Sequence, residues 1–186
     1  PSGEGFAHSY KFDCTTANSS LSAGSDMALQ YRIDGQDAQL LAKGTSSAAS
    51  LTVSFYVKST KTGTFILELM DNDNAREISK SYTISSSNTW ERKVITFEGD
   101  TTGALDDDNA RSLTLQWWLV AGTNFSSGTL HTSWSDPATA NRVVGQVNIA
   151  DSTSNDWLLT GVQMEVGEQA TAFEHRSVHD DLAKCQ

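Results

Sequence analysis

The sequence predicts an all-β fold, a two-sheet antiparallel β-sandwich. Short segments in which apolar and polar residues alternate follow one another along the chain, and turns rich in Ser, Thr, Gly, Asn and Asp separate them. Hydrophobic residues make up 38% of the 186 residues, which suits a chain with many exposed turns. About nine to eleven short strands at this spacing are expected, in a single domain over residues 1–186.

The longer predicted strands carry the alternating pattern, and turn residues separate them; Gln39–Ala42 is a short strand candidate. In Leu51–Lys58, for example, Val53 and Phe55 fall on the apolar face, whereas Tyr56 falls on the opposite face. A segment over residues 1–26 precedes the first of them. The predicted strands, in order, are Met27–Ile33, Gln39–Ala42, Leu51–Lys58, Thr64–Met70, Ile78–Ile84, Glu91–Phe97, Ser112–Ala121, Arg142–Ile149 and Asp156–Val166.

The last strand and the tail after it are expected to differ in structure. Strict alternation over Asp156–Val166 places Val162 and Met164 on the core face, and Trp157, Leu159 and Gln163 together on the other face. The tail 177–186 can form a short helix, because Ser177 is a plausible N-cap and acidic residues follow it.

Charge and cysteine content limit the partners. The net charge of −10 argues against nucleic acid, which requires clustered Lys and Arg, and no apolar run is long enough for membrane insertion. The two cysteines, Cys14 and Cys185, lie near opposite ends of the chain. A disulfide and two free thiols both remain open.

Three central runs and both ends of the chain resemble one class of domain. The runs are LTVSFYVKS followed by GTFILELMDN, then NTWERKVITFEGD, then SLTLQWWLVAG; the ends are QYRIDGQDAQLLAKG and LTGVQMEVGEQATAFEHR. Together they resemble the C-terminal jelly-roll domain of bacteriophage tail and fibre proteins, which is similar to carbohydrate-binding modules of the jelly-roll type. The likeness covers the chain from about Met27 to Gln186.

This resemblance implies a jelly roll at the end of a tail or fibre, and therefore a virion protein that functions outside the cell. It implies a polysaccharide or cell-surface glycan as partner and a homo-trimer within a fibre. Jelly-roll modules of this type often hold a structural calcium with an acidic pair in the last strand. Thr160-Gly161 stands at that place here, so the usual ligand pair is missing.

Sugar binding requires aromatic faces and planar polar groups, and the strand faces opposite the core offer both. If their strands share one sheet, one concave groove would be lined by five of these side chains, Tyr56, Glu68, Gln116, Trp118 and Gln163. The alternative is that Trp118 packs under a loop and the polar groups are merely solvated. Trp134, in the long segment 122–141, can stack on a ligand or anchor its loop. The candidate ligand-binding residues are Tyr56, Glu68, Gln116, Trp118, Gln163 and Trp134.

Oxygen-rich turns are the weak metal candidates. Asp71-Asn72-Asp73-Asn74 resembles a calcium loop, but it lacks the Gly and the distal Glu of an EF-hand; Glu4 is a further candidate oxygen ligand. The alternative for each is an ordinary polar turn.

The sequence contains no catalytic constellation. It has no G-x-S-x-G, P-loop or G-x-G-x-x-G motif, and its four His are dispersed. We therefore expect a non-catalytic glycan-binding domain rather than an enzyme. The alternative function is a structural virion domain that mediates oligomerisation without binding sugar.

Overall fold

The computed structural model describes residues 1–177 and Leu182, and this part of the chain forms a two-sheet sandwich. The sheet orders are β1-β8-β3-β6 in the first sheet and β2-β7-β4-β5 in the second. The eight strands are β1 (Tyr10–Asp13), β2 (Asp26–Asp34), β3 (Leu51–Ser59), β4 (Gly63–Asp71), β5 (Arg76–Ile84), β6 (Glu91–Phe97), β7 (Arg111–Ala121) and β8 (Asp156–Val166).

The pairing of the strands is that of a jelly roll. All pairs are antiparallel, and β1 pairs with β8, β2 with β7, β3 with β6 and β4 with β5. The predicted fold class is therefore confirmed. The core lies between the sheets, where the ring of Phe55 meets those of Tyr82 and Trp117 edge-on at 5.3 and 5.8 Å. All three rings are buried, as the alternation along β3 and β7 predicts for Phe55 and Trp117.

Two predicted strands are wrong. The predicted strand Gln39–Ala42 is instead a 3-10 helix, Gln39–Leu41, that follows the short helix α1 (Gly35–Ala38). Asp34 starts this helical stretch by accepting a hydrogen bond from the Asp37 backbone, and Ala42 ends it in the left-handed region.

The second wrong strand is Arg142–Ile149. Its first part, with Arg142 and Gln146, lies against the outer face of the second sheet, whereas Val147 and Ile149 pack with the main core, so the stretch does not run along a sheet edge as a strand would. It belongs to a long connection between β7 and β8 that contains helix α2 (Thr123–Ser126) and short 3-10 helices at Thr139–Asn141 and Ile149–Asp151.

A β-bulge in β8 corrects the predicted faces of the last strand. Tyr56 pairs with Thr160 but Ser54 pairs with Gln163, so Gly161 and Val162 together oppose one residue of β3. Trp157 and Leu159 are therefore buried in the core, whereas Gln163 lies on the outer face. Strict alternation had placed these three side chains on one face.

Two further sequence expectations concern the ends. Cys14 is buried, and its thiol donates to the Ala150 carbonyl at 3.7 Å. Its suggested partner Cys185 and the tail helix lie outside the described residues. No helix in the described part is long and apolar enough to span a membrane.

Candidate functional site

The outer face of the second sheet carries a buried polar group. Glu68 on β4 lies directly opposite Gln116 on β7, and Trp118 follows two residues along the same face. All three side chains are buried, and Glu68 is 0% exposed. The structure therefore brings together three of the predicted ligand-binding residues, but beneath other residues rather than on an open surface.

Glu68 holds this group together. Its carboxylate accepts hydrogen bonds from Gln116 Nε2 at 3.0 Å, from Trp118 Nε1 at 2.8 Å and from Arg142 Nε and Nη2 at 2.7 and 2.8 Å. Burial raises the pKa of Glu68, and the hydrogen bonds from Arg142 and Trp118 oppose that rise. For Arg142, burial lowers the pKa, but the hydrogen bond to Glu68 and the negative charges of Glu68, Glu77 and Asp26 together outweigh burial, so the pKa is raised.

Residues 122–147, here called the strap, cover this face. Phe125, Leu130 and Val143 of the strap pack against Trp118 and Ile66, which point away from the main core. The centroids of the Trp118 and Phe125 rings lie 5.5 Å apart, and the Arg142 guanidinium stands 5.1 Å from the Trp118 centroid. Trp118 thus packs under a loop, the alternative left open by the sequence.

Polar contacts fasten the strap along its length. Gln146 accepts a hydrogen bond from the Ile66 backbone at 2.7 Å and donates to the Trp118 carbonyl at 2.7 Å. Farther along, the buried carboxylate of Glu77 lies 3.0 Å from His131 Nδ1 and accepts a hydrogen bond from the Ala138 backbone. Sequence reasoning missed Glu77 and His131, because no local pattern shows that residues 54 positions apart meet.

An open cleft of about 280 Å³ remains between the strap and the edge of the sheet. Gln116 and Trp118 form its buried floor, and Gln30 Nε2 donates to Gln116 Oε1 at 2.6 Å. Its rim includes the exposed side chains of Asp26, Gln30 and Arg111, with Arg142 and Phe125 on the strap side. The cleft therefore combines planar amide and guanidinium groups of the kind that hydrogen-bond sugar hydroxyls.

The single groove expected from the sequence does not form. Tyr56 and Gln163 belong to the first sheet, so they lie on the opposite outer face of the sandwich from Glu68, Gln116 and Trp118. The condition that the four strands carrying these five side chains share one sheet is not met. Sequence alternation identifies a side chain's face but cannot tell which sheet its strand joins.

The terminal segments cover Tyr56 and Gln163. The ring of Phe6 lies 5.4 Å from that of Tyr56, whose hydroxyl donates to Glu4 Oε2 at 3.0 Å. Burial, and secondarily this bond to Glu4, raises the pKa of Tyr56. Gln163 accepts a hydrogen bond from the Glu174 backbone at 2.8 Å and so holds the C-terminal coil. Both residues act as attachment points for the chain ends.

Trp134 anchors its loop. Its indole Nε1 donates to the Glu98 carbonyl at 2.7 Å, and the Lys43 ammonium stands 5.3 Å from the ring centroid. The ring also packs against the edge of the main core. Of the two roles left open by the sequence, these contacts are those of an anchor.

The cation beside Asp71 is a lysine of the chain itself. Lys43 Nζ lies 2.5 Å from Asp71 Oδ2 and 3.1 Å from Asp100 Oδ2, and it donates to the carbonyls of Thr102 and Gly103 at 2.7 and 3.0 Å. The Lys43 side chain is buried. An ammonium ion with this set of oxygen neighbours occupies the place that a metal would take, so Asp71 does not fit a calcium site.

The other metal candidates are also engaged. Asp73 Oδ2 accepts a hydrogen bond from the Asp106 backbone at 3.0 Å, and the Glu4 carboxylate accepts the hydrogen bond from Tyr56. Over the described residues, no group of three or more His, Cys, Asp or Glu side chains is placed to hold a metal ion. The residues present therefore do not fit the calcium that the resemblance implies.

Comparisons with known proteins give one structural likeness. No protein-family model matches the sequence, and no curated protein matches it. A solved structure described as "CBM4 structure and function" aligns with a TM-score of 0.40 and 10% sequence identity, over 81% of this chain and 79% of that chain.

Proposed function

We propose that this chain is a non-catalytic glycan-binding domain whose binding site is the cleft on the outer face of the second sheet. The observation that carries the proposal is the line of planar polar groups there, Gln30, Gln116 and Arg142, connected by hydrogen bonds above the buried Glu68. Carbohydrate hydroxyls are recognised by such groups when they are held in fixed positions.

The cleft retains hydrogen-bonding groups that the protein itself does not use. Within the described part of the chain, Arg142 Nη1 and the guanidinium of Arg111 have no hydrogen-bond partner, and the side-chain carbonyl of Gln30 accepts none. Because Glu68 already fixes Gln116 and Arg142, a glycan would bind with little loss of side-chain entropy. Binding then depends on hydrogen bonds more than on stacking, since Trp118 is only 3% exposed.

The charges in the cleft favour a neutral polysaccharide. The exposed Asp26 stands on the same rim as Arg111, so a uniformly acidic chain would meet a carboxylate and a uniformly basic chain a guanidinium. The motif resemblance at both ends of the sequence supports a setting in a bacteriophage tail or fibre. In that setting the ligand would be a host-surface or environmental polysaccharide, met outside the cell.

The experiment is affinity electrophoresis of the chain in gels that contain bacterial or algal polysaccharides, followed by titration calorimetry with oligosaccharides of any retarding polymer. Arg111→Ala and Gln30→Ala should each weaken binding by about tenfold, the effect of one lost hydrogen bond to a sugar. Gln169→Ala, on an exposed turn away from the cleft, is the matched control. Retardation by no polysaccharide, or equal affinity in all three variants, would overturn the proposed cleft.

A further inference from the structure

Strand β2 has a free edge. It pairs with β7 on one side, and no strand in the described part of the chain pairs with its other side. The strand is nine residues long, DMALQYRID, and contains neither Pro nor Lys. Its register with β7 shifts near each end, between Met27 and Ala28 and between Ile33 and Asp34, but Ala28–Ile33 pairs without interruption. Natural edge strands are usually protected by Pro, Lys, a bulge or a covering loop, because unpaired backbone groups invite another strand. The regular edge over Ala28–Ile33 carries no Pro, Lys or bulge, so another strand can pair with it.

The apolar side of this edge is exposed. Tyr31 is 53% exposed, and beside it an apolar slot of about 460 Å³ opens between β2 and the free part of β8. The slot is lined by Leu29, Gln30, Tyr31, Trp117, Leu159, Val162 and Met164. At its inner end Trp117 is buried, and its Nε1 has no hydrogen-bond partner in the structure.

The polar side of the edge carries one charge of each sign. The register with β7 places Asp26, Gln30 and Arg32 on the outer face, because Gln30 lies opposite Gln116 and Arg32 opposite Thr114. Asp26 and Arg32 are exposed, and neither forms an ion pair within residues 1–177. These two opposite charges are six positions apart along the strand.

We propose that β2 pairs with β2 of a second copy, antiparallel, about a two-fold axis at Leu29. This register places Asp26 opposite Arg32 of the second copy, and the reverse pair forms at the other end. On the inner face Met27 meets Tyr31 of the second copy, and Leu29 meets itself. Opposite charges and apolar pairs directly across two strands stabilise their pairing.

Other registers fail on charge or on face. A pairing centred on Gln30 sets Asp26 opposite Asp34 of the second copy, and one centred on Ala28 leaves Arg32 opposite a glycine. A register centred between two neighbouring residues would pair inner-face residues of one copy with outer-face residues of the other, so apolar side chains would lie opposite polar ones. The alternation and charges of β2 thus select one register, and a second copy is the partner that provides its complement.

The dimer would change both faces of the edge. Tyr31 and the slot would be covered by the second copy, and the two second sheets would join into one sheet of eight strands. Antiparallel pairing at an edge keeps the outer faces on the same side, so the two clefts would open in the same direction. Asp26 and Gln30 belong to both the cleft and the contact, and a long polysaccharide could follow the joined face.

Sedimentation velocity and light scattering on the whole chain test this inference. The wild type should have twice the 20.1 kDa mass of one chain. Asp26→Arg should be monomeric, because the new arginine would lie opposite Arg32 of the second copy. Arg32→Asp should be monomeric, because the new carboxylate would lie opposite Asp26 of the second copy. An equimolar mixture of these two variants should form a heterodimer, since each then carries the charges that complement the other. Glu168→Arg, an equal charge change on an exposed turn, should remain dimeric.

The double variant Asp26→Arg/Arg32→Asp restores both pairs and should recover the dimer, with circular dichroism to show that every variant is folded. A monomeric wild type would overturn the inference, and so would a trimer. A dimer that both single variants leave intact would overturn it too. Loss of the dimer in all variants with no recovery in the mixture would show that charge pairing across β2 is not the contact.

Discussion

The guanidinium of Arg142 donates to both carboxylate oxygens of Glu68, at 2.7 and 2.8 Å, and this pair joins the strap to the second sheet. Glu68 is fully buried, so its charge depends on Arg142, Trp118 and Gln116 for compensation. The geometry of the cleft follows from this pair, because the side chains that Glu68 fixes are those that form the floor and one wall.

Arg142→Met should destabilise the protein by about 3 kcal/mol at neutral pH, because it leaves a buried carboxylate without its cation. Chemical denaturation measures the loss. The double variant Glu68→Gln/Arg142→Met should be more stable than Arg142→Met alone, since no unpaired charge remains. Arg92→Met, which removes an exposed arginine bonded to the Thr171 carbonyl, is the control and should cost under about 1 kcal/mol.

The stability that Arg142→Met loses should depend on pH. Burial raises the pKa of Glu68 above its ordinary value of 4.5, and loss of Arg142 removes an effect that opposes the rise. A raised folded-state pKa stabilises the fold at low pH and ceases to do so as pH rises through it. The gap in unfolding free energy between wild type and Arg142→Met should therefore narrow on acidification. A gap that widens as pH falls would contradict this account of Glu68.

Lys43→Met should also be strongly destabilising, by about 3 kcal/mol or more, because Asp71 and Asp100 lose a buried cation. Lys61→Met is the matched control. Lys61 forms an ion pair with Asp151 at the surface, where such pairs contribute roughly 0–1 kcal/mol. Thermal unfolding with and without a chelator completes the test, and the chelator should leave the wild-type midpoint unchanged. A chelator-sensitive midpoint would show a metal that these residues do not explain.

The pKa of Asp100 determines whether the contacts of Lys43 with Asp71 and Asp100 gain or lose stability as pH falls. Burial raises its pKa, but the hydrogen bonds from Arg76, the Thr102 backbone and Lys43 outweigh burial, so the pKa lies below the ordinary 3.8. A depressed pKa stabilises the fold above the unfolded value, and that stability is lost as pH falls through the folded value. Asp100→Asn should flatten the decline in stability below about pH 4.

Local patterns predicted most of the fold. The bounds of β6 and β8 match the prediction, and β3, β4, β5 and β7 differ by one or two residues at an end, because alternation with clear turns is a local property. β1 was missed because its four residues, Tyr10–Asp13, are too short to show a period. Arg142–Ile149 was read as a strand because apolar residues that pack on a sheet face resemble a half-buried strand.

The candidate site was predicted only in part. Alternation placed Glu68, Gln116 and Trp118 on outer faces, and the structure agrees. It could not show that Tyr56 belongs to the other sheet, nor that Arg142 reaches Glu68 from 74 residues away. The first depends on strand order and the second on the path of a long connection, and neither leaves a periodic signal.

Gly161→Ala should destabilise the bulge of β8 and the contact with the N-terminal segment. Gly161 has φ +59°, and a Cβ atom there would lie 2.5 Å from the Phe6 ring. Gly145→Ala is the control, because it has φ +90° but nothing within 4 Å, so it reports the backbone strain alone. We expect about 1 kcal/mol for the control and roughly 1–2 kcal/mol more for Gly161→Ala, by denaturant titration.

Phe6→Ala combined with Gly161→Ala separates the backbone strain at Gly161 from the clash of the new Cβ atom with the Phe6 ring. Removal of the ring should abolish the clash and return the effect of Gly161→Ala to that of the control, because only the backbone cost would remain. The measurement is a double-mutant cycle with Phe6→Ala as the second axis. Equal losses from Gly161→Ala with and without Phe6 would show that the ring does not rest on the bulge.

Trp118→Phe distinguishes a structural role of this residue from direct contact with a glycan. The ring is 3% exposed, and its Nε1 donates to Glu68 at 2.8 Å. The change should therefore cost about 1–2 kcal/mol of stability, while the affinity of the folded protein for a bound polysaccharide should change by less than about twofold. Trp134→Phe is the matched control, since it removes an indole donor to the Glu98 carbonyl, and neither residue lines the cleft. Calorimetric titration of both folded variants decides the matter, because a selective tenfold loss in Trp118→Phe would mean that the strap opens and the indole meets the sugar.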